Sequence, residues 1–420
     1  MADNRKRAVS TILVNQVNDW LMDQALKDTD LETIILGACE RVHAAGIPIM
    51  RGFFGFSVLH PLYSATSITW QRGNGTKIAD YPHVPNGANE GYLKSPFYYM
   101  SQRGLDTMRV HLDCTQRQYD FPILKELMQQ GLTDYLAFRM AFDRSGDRGM
   151  TGSWATDHRD GFSEEDIEAL LRLNRRLAVA SKIAVKSKLM TNLTSTYLGR
   201  GAGEHVLSGQ IKRGDGQSIK AAIWFADIRG STALADRLDS QGYIDVLNQF
   251  FDATGRSVID KGGEILSFIG DGLLAIFPAK DSEESLRDAS TRAMRAALKA
   301  ETRLDRMNHK REQAGLDAIR FGIALHLGEV MFGNVGALDR LTFSAFGQAV
   351  NEVSRLDQLT KTLKENMVAS DEVASRIDHP VRALGAHSLR GVGEPMHVFA
   401  PLRKAANDRR KPRRPSEAAE

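Results

Sequence analysis

The pattern of hydrophobic and polar positions divides the chain into two folded parts on either side of a long helix. The first part extends to about residue 160, and the last covers about 218–401. Within the first part, the pattern predicts helices over 14–28, 30–45 and 121–130, and strands over 49–60, 64–72, 107–113, 134–143 and 148–157. The intervening stretch rich in Pro, Gly and Asn predicts irregular structure. This order indicates an α+β domain whose helices pack on an antiparallel sheet.

A capping box predicts where the long helix begins. The Ser163 hydroxyl and the Asp166 carboxylate are three residues apart, and each can accept a hydrogen bond from a free backbone N–H at the helix start. The helix extends to about residue 198, and its apolar positions recur at spacings of three and four: Leu170, Leu173, Leu177, Ala180 and Ala184. This spacing suits either a parallel two-helix stalk or a helix packed on its own domain, and both interpretations stay open.

The segment after this helix is rich in glycine. Gly199-Arg-Gly-Ala-Gly and Arg213-Gly-Asp-Gly favour turns over regular structure, which indicates a linker. We therefore predict four regions: an N-terminal domain over 1–160, a helix and linker over 161–217, a C-terminal domain over 218–401 and a disordered basic tail over 402–420.

The first candidate site of the C-terminal domain lies at the end of a predicted strand. A β-rich apolar run ends at Asp227, and a helix is predicted to begin near Thr232. Gly230, Ser231 and Thr232 lie at the start of that helix, where backbone N–H groups can bind phosphate. The alternative is that Asp227 only caps the helix.

A second carboxylate follows forty-four residues later. The segment 263–277 is predicted to form a hairpin with Asp271 in its turn. Mg²⁺ prefers oxygen ligands and commonly uses one or two carboxylates plus substrate phosphates. Asp227 and Asp271, if brought together at neighbouring strand ends, would therefore form a divalent-metal site. Taken alone, an Asp-Gly turn needs no function.

A predicted helix near the end of this domain carries an amide and a guanidinium on one face. Asn351 and Arg355 are four residues apart, so both side chains point the same way. Arginine offers forked donors to phosphate oxygens, and asparagine can orient a ribose oxygen. The alternative is an exposed helix face in which Arg355 pairs with Glu352 or Asp357.

Four motifs in this order resemble the class III nucleotidyl cyclases, which include the adenylate and guanylate cyclases: Phe225-Ala-Asp-Ile-Arg-Gly-Ser-Thr, Phe268-Ile-Gly-Asp-Gly, His326-Leu-Gly-Glu-Val and Val350-Asn-Glu-Val-Ser-Arg-Leu. The resemblance covers about 218–401, and Tyr197-Leu-Gly-Arg-Gly-Ala-Gly-Glu-His-Val-Leu is similar to linkers that precede such domains in bacterial soluble cyclases. It implies a ferredoxin-like domain with helices on an antiparallel sheet.

The resemblance also implies roles for the candidate residues. Asp227 and Asp271 would bind two Mg²⁺ or Mn²⁺ ions per site, with the Ile228 carbonyl as an additional ligand. Asn351 and Arg355 would form the pair that stabilises the transition state. The family builds its sites between two such domains, so a single copy per chain implies a homodimer. The resemblance further implies that this dimer converts ATP to 3′,5′-cyclic AMP and pyrophosphate.

Three further positions bear on triphosphate binding and on the choice of base. Arg390, in Leu389-Arg-Gly-Val-Gly, would take the triphosphate role that the family often gives to lysine. Ser267 and Ser344 stand where adenylate-forming members typically have a base-contacting lysine and an aspartate, threonine or serine. A hydroxyl both donates and accepts, so we expect only modest selectivity between ATP and GTP. The resemblance implies a preference for ATP, because Ser344 fits an adenylate-forming bacterial subclass and neither position has the Glu or Cys typical of guanylate-forming relatives.

The N-terminal part resembles the GAF-like small-molecule sensor domains. The resemblance rests on the element order and on the closing phrase Trp154-Ala-Thr-Asp-His-Arg-Asp-Gly-Phe-Ser-Glu-Glu-Asp. It implies an unknown small-molecule or redox ligand and regulation through the long helix that joins the two domains. The candidate ligand residues have no metal-ligand spacing, and a structural role is favoured for them: Tyr98, Tyr99, His111 and Cys114.

Composition and charge narrow the class of protein. The 420 residues are 42% hydrophobic and 25% charged, which is ordinary for a globular chain. The net charge of +3 arises from residues 403–420, where seven basic residues face three acidic ones and give +4, so the remainder carries −1. A domain without net positive charge does not favour nucleic-acid binding. Two cysteines and no signal peptide or membrane span predict a soluble cytoplasmic protein.

Three classes of function remain open at this point. The first is an enzyme that forms a cyclic nucleotide, either an adenylate or a guanylate cyclase. The second is a nucleotide-binding regulatory protein with weak or no turnover, and the third is a ligand-sensing adaptor. The presence of both aspartates, the asparagine and the arginine favours the enzyme, because a degenerate copy usually lacks at least one of them.

Overall fold

The computed structural model describes residues 10–84, 89–112, 120–143 and 148–402. The chain divides into two compact units, Met1–Leu193 and Thr194–Glu420. Two predicted features, Cys114 and the basic tail from residue 403 onward, lie outside the described residues.

The first unit contains helices on both faces of one sheet. Its helices are α1 (Thr11–Leu26), α2 (Leu31–Ala44), α3 (Glu90–Leu93), α4 (Pro96–Arg103), α5 (Pro122–Gln129) and α6 (Glu164–Leu198), the last of which continues into the second unit. Its strands are β1 (Ile49–Ser57), β2 (Tyr63–Gln71), β3 (Gly75–Pro82), β4 (Thr107–His111), β5 (Asp134–Ala141) and β6 (Gly149–Thr156). The helices and strands predicted from the periodicity are confirmed, with small shifts at their ends.

The sheet of the first unit is antiparallel and has the order β3-β2-β1-β6-β5-β4. Strand β5 shows how it is covered: Leu136 and Phe138 join a core with α1, α2 and α6, whereas Tyr135 and Ala137 join a core with α4 and α5. Successive side chains of a strand point to opposite faces, so this strand is apolar on both sides. A mixed α+β unit with an antiparallel sheet is confirmed.

The stretch predicted to be irregular contains regular structure, so this part of the prediction is wrong. Strand β3 pairs with the outer edge of β2 and is largely exposed, which explains its weak apolar pattern. Helix α4 has local signals at both ends. The Ser95 hydroxyl accepts from the Tyr98 N–H, Pro96 occupies the first turn, and Gly104 ends the helix with φ of 64°.

The capping box at the start of α6 is confirmed. The Ser163 N–H donates to Asp166 Oδ2 at 2.9 Å, and the Asp166 N–H donates to Ser163 Oγ at 3.1 Å. The five residues of the predicted seam are all buried in the core of the first unit: Leu170, Leu173, Leu177, Ala180 and Ala184. In this chain the spacing therefore belongs to a helix packed on its own domain, the second of the two interpretations.

The second unit has an eight-stranded sheet. Its helices are α7 (Arg200–Leu207), α8 (Ser231–Ala235), α9 (Ser240–Ile259), α10 (Glu283–Gln313), α11 (Gln348–Leu363) and α12 (Asp371–Ala374). Its strands are β7 (Gly216–Ile228), β8 (Glu264–Ile269), β9 (Gly272–Ala279), β10 (Phe321–Gly336), β11 (Leu341–Phe346), β12 (Met367–Ser370), β13 (Val381–His387) and β14 (Met396–Pro401).

The four strands at the centre of this unit form the predicted ferredoxin-like arrangement. Their sheet order is β10-β7-β9-β8, all antiparallel, and the chain runs through them as strand, helix, two strands, helix and strand. Strands β12, β14 and β13 extend the sheet beyond β10, and β12 pairs with β10 in parallel. Strand β11 pairs with the outer half of β10.

Helix α7 replaces much of the predicted turn-rich linker. Ala202 is buried in the core of the second unit, and a Cβ on Gly203 would lie 3.0 Å from the backbone nitrogen of Ser195. The glycines of this segment thus permit a close approach of two helices as well as turns. The prediction of turns is therefore wrong for Gly199-Arg-Gly-Ala-Gly, where a helix begins at Arg200.

Both faces of the second sheet are covered. Ala222 and Trp224 of β7 pack with α9 and α10, and Ala221 and Ile223 pack with α7 and α11. Alternate side chains of a strand share a face, so Asp227 lies on the same face of β7 as Ala221 and Ile223, the face covered by α11. Among the helices of the described segments, none is long and apolar enough to cross a membrane.

Candidate active site

Two aspartates meet at the ends of adjacent strands. Asp227 is the penultimate residue of β7, and Asp271 lies in the turn between β8 and β9. Strands β7 and β9 pair so that Ala226 lies opposite Leu273, which places Asp227 beside that turn. Gly270 adopts φ of 62°, a conformation that glycine takes without strain in a tight turn. The carboxyl groups of Asp227 and Asp271 lie within hydrogen-bonding reach of each other.

The proximity of these two carboxyl groups changes the acidity of Asp227. Burial is the main cause, and the neighbouring Asp271 adds to it, so the pKa of Asp227 is raised from 3.8 to about 7. Burial and the charges of both aspartates likewise raise the pKa of Tyr243, in the first turn of α9. A site that accumulates negative charge in this way favours a cation.

A third carboxylate lies behind the pair. Asp357 of α11 is 3% exposed, and burial raises its pKa from 3.8 to about 6, against the opposing effects of the Lys361 and Arg229 cations. It lies over Gly322, the residue of β10 that pairs with Asp227, and a Cβ on Gly322 would come within 2.5 Å of Asp357 Oδ1. The sequence suggested Asp357 only as a partner of Arg355, because no local pattern indicates that it lies behind Asp227.

The two aspartates fit a divalent cation. Oδ2 of Asp271 is buried and has no hydrogen-bond partner, which is costly unless a cation or water satisfies it. Ile228 has a hydrocarbon side chain without a ligating atom, so only its backbone carbonyl is suited to ligation. No group of three or more His, Cys, Asp or Glu side chains in the described part of the chain could hold a metal ion. A site of this kind needs substrate oxygens to complete the coordination.

The predicted phosphate-binding turn follows β7. Gly230 adopts φ of 72° and precedes the short helix α8, and Ser231 and Thr232 form the first residues of that helix. The helix begins at Ser231, one residue before the predicted position. Within the described residues no side chain caps this helix, so its first backbone N–H groups lack a side-chain acceptor.

Asn351 and Arg355 lie in the first two turns of α11, as predicted. Within the described residues, neither side chain forms a hydrogen bond or an ion pair. The carboxylate of Glu352 instead accepts from Gln348 and contacts His326, and the cations closest to Asp357 are Lys361 and Arg229. The alternative in which Arg355 pairs with Glu352 or Asp357 is therefore wrong, and both predicted groups remain available for a ligand.

The two serines predicted to contact the base lie on separate strands. Ser267 follows an irregularity in the pairing of β8 with β9, and Ser344 of β11 lies opposite Gly333 of β10. Strands β8 and β11 approach each other within the same unit. Arg390 lies elsewhere, exposed in the loop between β13 and β14 at the far edge of the sheet.

The candidate ligand residues of the first unit have structural contacts. Tyr98 packs edge to face with Tyr92, and Tyr99 packs edge to face with Phe121, each with ring centroids 5.7 Å apart. His111 is largely exposed and lies 3.7 Å from Asp134. These contacts agree with the structural role favoured by the sequence.

Comparison with known proteins assigns the second unit. Residues 216–400 match the family model of the adenylate and guanylate cyclase catalytic domain. The matched region contains all four motifs that resemble the class III nucleotidyl cyclases.

The curated relatives include both named and uncharacterised proteins. The chain is 30% identical over 174 residues to an adenylate cyclase of Anabaena cylindrica and 28% identical over 179 residues to adenylate cyclase 1 of Rhizobium meliloti. These alignments cover 40% and 42% of this chain, and 33% and 26% of the two relatives. The chain thus spans about a third or less of the length of these relatives.

Solved structures of both nucleotide specificities are similar to this chain. The adenylyl cyclase CyaB from P. aeruginosa is 23% identical with a TM-score of 0.41, and the similarity covers 45% of this chain and 96% of that one. The guanylyl cyclase Cya2 is 26% identical with a TM-score of 0.40, covering 46% and 97% respectively.

We expect divalent cations to stabilise the protein more strongly at pH 8 than at pH 5.5. Because the pKa of Asp227 is raised to about 7 in the folded, metal-free protein, the native state holds more protons than the unfolded chain between pH 3.8 and 7. The contribution of this group to stability therefore falls as the pH rises through that window. A cation must displace the retained proton at pH 5.5, whereas at pH 8 it meets two carboxylates.

The measurement is the shift in thermal midpoint on adding Mn²⁺ at the two pH values. The Asp227→Asn variant is the control and should lose most of the shift at pH 8. Equal shifts of the unaltered protein at both pH values would contradict a cation site at Asp227 and Asp271.

Proposed function

We propose that the protein is an adenylate cyclase that converts ATP to 3′,5′-cyclic AMP and pyrophosphate. The observation that carries the proposal is the meeting of Asp227 and Asp271 at the ends of β7 and the β8–β9 turn, within a region that matches the cyclase family. The unpaired groups of Asn351 and Arg355 on α11 support the same reaction. Two Mg²⁺ or Mn²⁺ ions at Asp227, Ile228 and Asp271 would supply acidification of the ribose 3′-hydroxyl and charge neutralisation on the phosphates.

In this proposal the residues of the chain mainly position the nucleotide and neutralise the negative charge of its phosphates. Arg355 donates to the oxygens of the α-phosphate as negative charge develops there, and Asn351 orients the ribose. The backbone N–H groups after Gly230 bind phosphate oxygens at the start of α8. Arg390 lies at the far edge of the sheet in its own chain, so we propose that it reaches the triphosphate end from the second subunit, as Asn351 and Arg355 do. Such charge placement contributes most to phosphoryl chemistry, because the protein needs to form no covalent bond.

The active form is proposed to be a homodimer with two shared sites. Asn351 and Arg355 have no partner within their own described chain, so a second copy can receive them at its metal-binding aspartates. A nucleotide would then lie between the two subunits, with metals from one and the transition-state pair from the other.

ATP is expected to be the better substrate, but with modest selectivity. Ser267 and Ser344 offer hydroxyl groups that can pair with adenine or with guanine, whereas a lysine ammonium could only donate. Loss of a charged hydrogen bond to the base costs about 1.5–3 kcal/mol, which should appear as a high KM for ATP.

This prediction is checked by measuring kcat/KM for ATP and GTP with Mn²⁺ and with Mg²⁺, detecting the cyclic nucleotide and pyrophosphate. The Ser267→Ala and Ser344→Ala variants should raise KM further with little change in kcat. A clear preference for GTP would reassign the enzyme as a guanylate cyclase. Binding without turnover of either nucleotide would support the regulatory class.

The first unit is proposed to act as a GAF-like sensor that controls the cyclase through α6. Because the α6 residues 164–184 complete the core of the first unit, removing only 1–160 would expose that core face. Removal of 1–193, the whole unit, is the cleaner test. We expect kcat to change in one direction, and unchanged kinetics and dimerisation would contradict regulation by this unit.

A further inference from the structure

The motif His326-Leu-Gly-Glu-Val has no role in the site described so far. His326 lies in β10 and is only 4% exposed. Its ring connects two other elements: Nε2 lies 3.0 Å from Oε2 of Glu352 on α11, and Nδ1 lies 3.0 Å from Oγ of Ser370 at the end of β12. A buried imidazole that uses both ring nitrogens is held in one orientation.

The chemistry of the partners assigns the proton. A carboxylate only accepts hydrogen bonds, so Nε2 of His326 carries the hydrogen and donates it to Glu352. In the neutral imidazole Nδ1 is then the acceptor for the Ser370 hydroxyl, and Oε2 of Glu372 lies 3.8 Å from the same nitrogen, beyond hydrogen-bond distance. Ser370 is fully buried in the sheet, so its hydroxyl holds Nδ1 of His326 in place.

Gly328 brings the helix within reach of His326. Residues two apart on a strand share a face, so His326 and Gly328 both point to α11. A Cβ on Gly328 would lie 2.5 Å from the Cβ of Ala349 in the first turn of that helix. Only a glycine permits this approach, and at this separation Glu352 meets the imidazole.

Ala349 and Val353 pack in the core beneath the start of α11, and within the described residues the contact of Glu352 with His326 is its one side-chain hydrogen bond to the sheet. Its cap residue, Gly347, provides no side-chain hydrogen bond. The second oxygen of Glu352 accepts from Gln348 Nε2 at 2.8 Å, so the contact with His326 is joined to the first residue of the helix. Asn351 precedes Glu352 directly and is therefore displaced from it by about 100° around the helix axis. Any rotation of α11 that breaks the contact moves Asn351.

We propose that His326 is a positioning residue which, through Glu352, sets the rotation of α11 and hence the placement of Asn351 and Arg355 for the transition state. This inference rests on the proposed cyclase function and adds to it a residue that does not touch the nucleotide. Its signature is a loss in kcat with little change in KM, because the base and triphosphate contacts lie on other elements.

The test compares three variants of the full-length protein. His326→Leu removes the donor and should lower kcat on the order of 10- to 100-fold, the usual cost of misplacing reactive groups by about 1 Å. His326→Gln carries an amide N–H in place of Nε2–H and should restore most of the lost kcat. The control is His309→Leu, at an exposed histidine of α10 that contacts Gln313, and it should leave kcat unchanged. Rates are normalised to the folded fraction.

A double-mutant cycle separates the proposed pathway from a general loss of packing. If His326 acts through Glu352, the combination of His326→Leu with Glu352→Ala should cost no more than the larger single loss. The inference is overturned if the fold-losses in kcat of the two single variants multiply in the double variant. It is also overturned if the unaltered protein is active and His326→Leu has a normal kcat.

Hydrogen exchange tests the same contact without using activity. Amides at the start of α11, over 348–354, should exchange faster in His326→Leu than in the unaltered protein or in His309→Leu. Unchanged exchange there would also overturn the inference. The two proposals can fail separately. If the unaltered protein shows no turnover but the exchange pattern is as expected, the proposed cyclase activity is contradicted and the contact between His326 and Glu352 is still supported.

Discussion

Replacing Asp271 with asparagine is expected to lower kcat by about a hundredfold or more while the fold stays intact. The substitution keeps the size of the side chain and removes one of the two charges that would hold the catalytic cations, a contribution of several kcal/mol. It also relieves the repulsion that raises the pKa of Asp227, so the variant should be at least as stable as the unaltered protein without metal. The measurements are kcat at saturating Mg²⁺ and Mn²⁺ and the thermal midpoint in a metal chelator.

The chain offers a matched control for this substitution. Asp339 lies exposed at the tip of another hairpin of the same sheet, between β10 and β11. Asp339→Asn should keep its turnover, which shows that a change at a hairpin tip is not harmful in itself. Near-normal activity of Asp271→Asn with saturating metal would contradict the two-cation assignment.

Mixing two inactive proteins, Asp227→Ala and Arg355→Ala, is expected to restore activity to about a quarter of the normal level. Random exchange makes about half of the dimers mixed, and each mixed dimer has one site built entirely from unaltered residues. The site takes its metals from the Arg355→Ala subunit and its arginine from the Asp227→Ala subunit. The measurement is the rate of cyclic nucleotide formation after subunit exchange.

A second pair of variants distinguishes a shared site from non-specific rescue. Asp227→Ala mixed with Asp271→Ala places a metal-site lesion in both subunits, so every site of the mixed dimer remains damaged. This mixture should stay inactive. If exchange is demonstrated and the first mixture also remains inactive, each site is built from a single chain and the shared arrangement is wrong.

Local patterns in the sequence predicted most of the secondary structure. The capping box at Ser163 and the strands β5 and β6 depend on neighbours within a few residues, and the structure confirms them. The prediction of secondary structure failed where one local pattern is compatible with two structures. The glycines of 199–203 are compatible with turns and with close helix packing, and burial of Ala202 against the sheet decided for a helix. Strand β3 lacked a signal because it lies at an exposed edge.

The candidate site was predicted in part. Asp227 and Asp271 were identified from their positions at a strand end and in an Asp-Gly turn, and Asn351 with Arg355 from their helical spacing. Their neighbours were not identified, because nothing in the sequence near Asp357 or His326 states which strand lies beside it. Asp357 faces Asp227 only because Gly322 leaves room between them.

The sequence by itself determined the residue types, the ends of most helices and strands, and which positions of each element are apolar, since these follow from chain geometry and side-chain chemistry within one element. The tertiary structure alone decided which elements meet. The pairing of β7 with β9 brings together two carboxylates forty-four residues apart, and the close packing of α11 on Gly328 joins His326 to Glu352. Such contacts depend on strand register and on the space left by glycines, which only the packed core fixes.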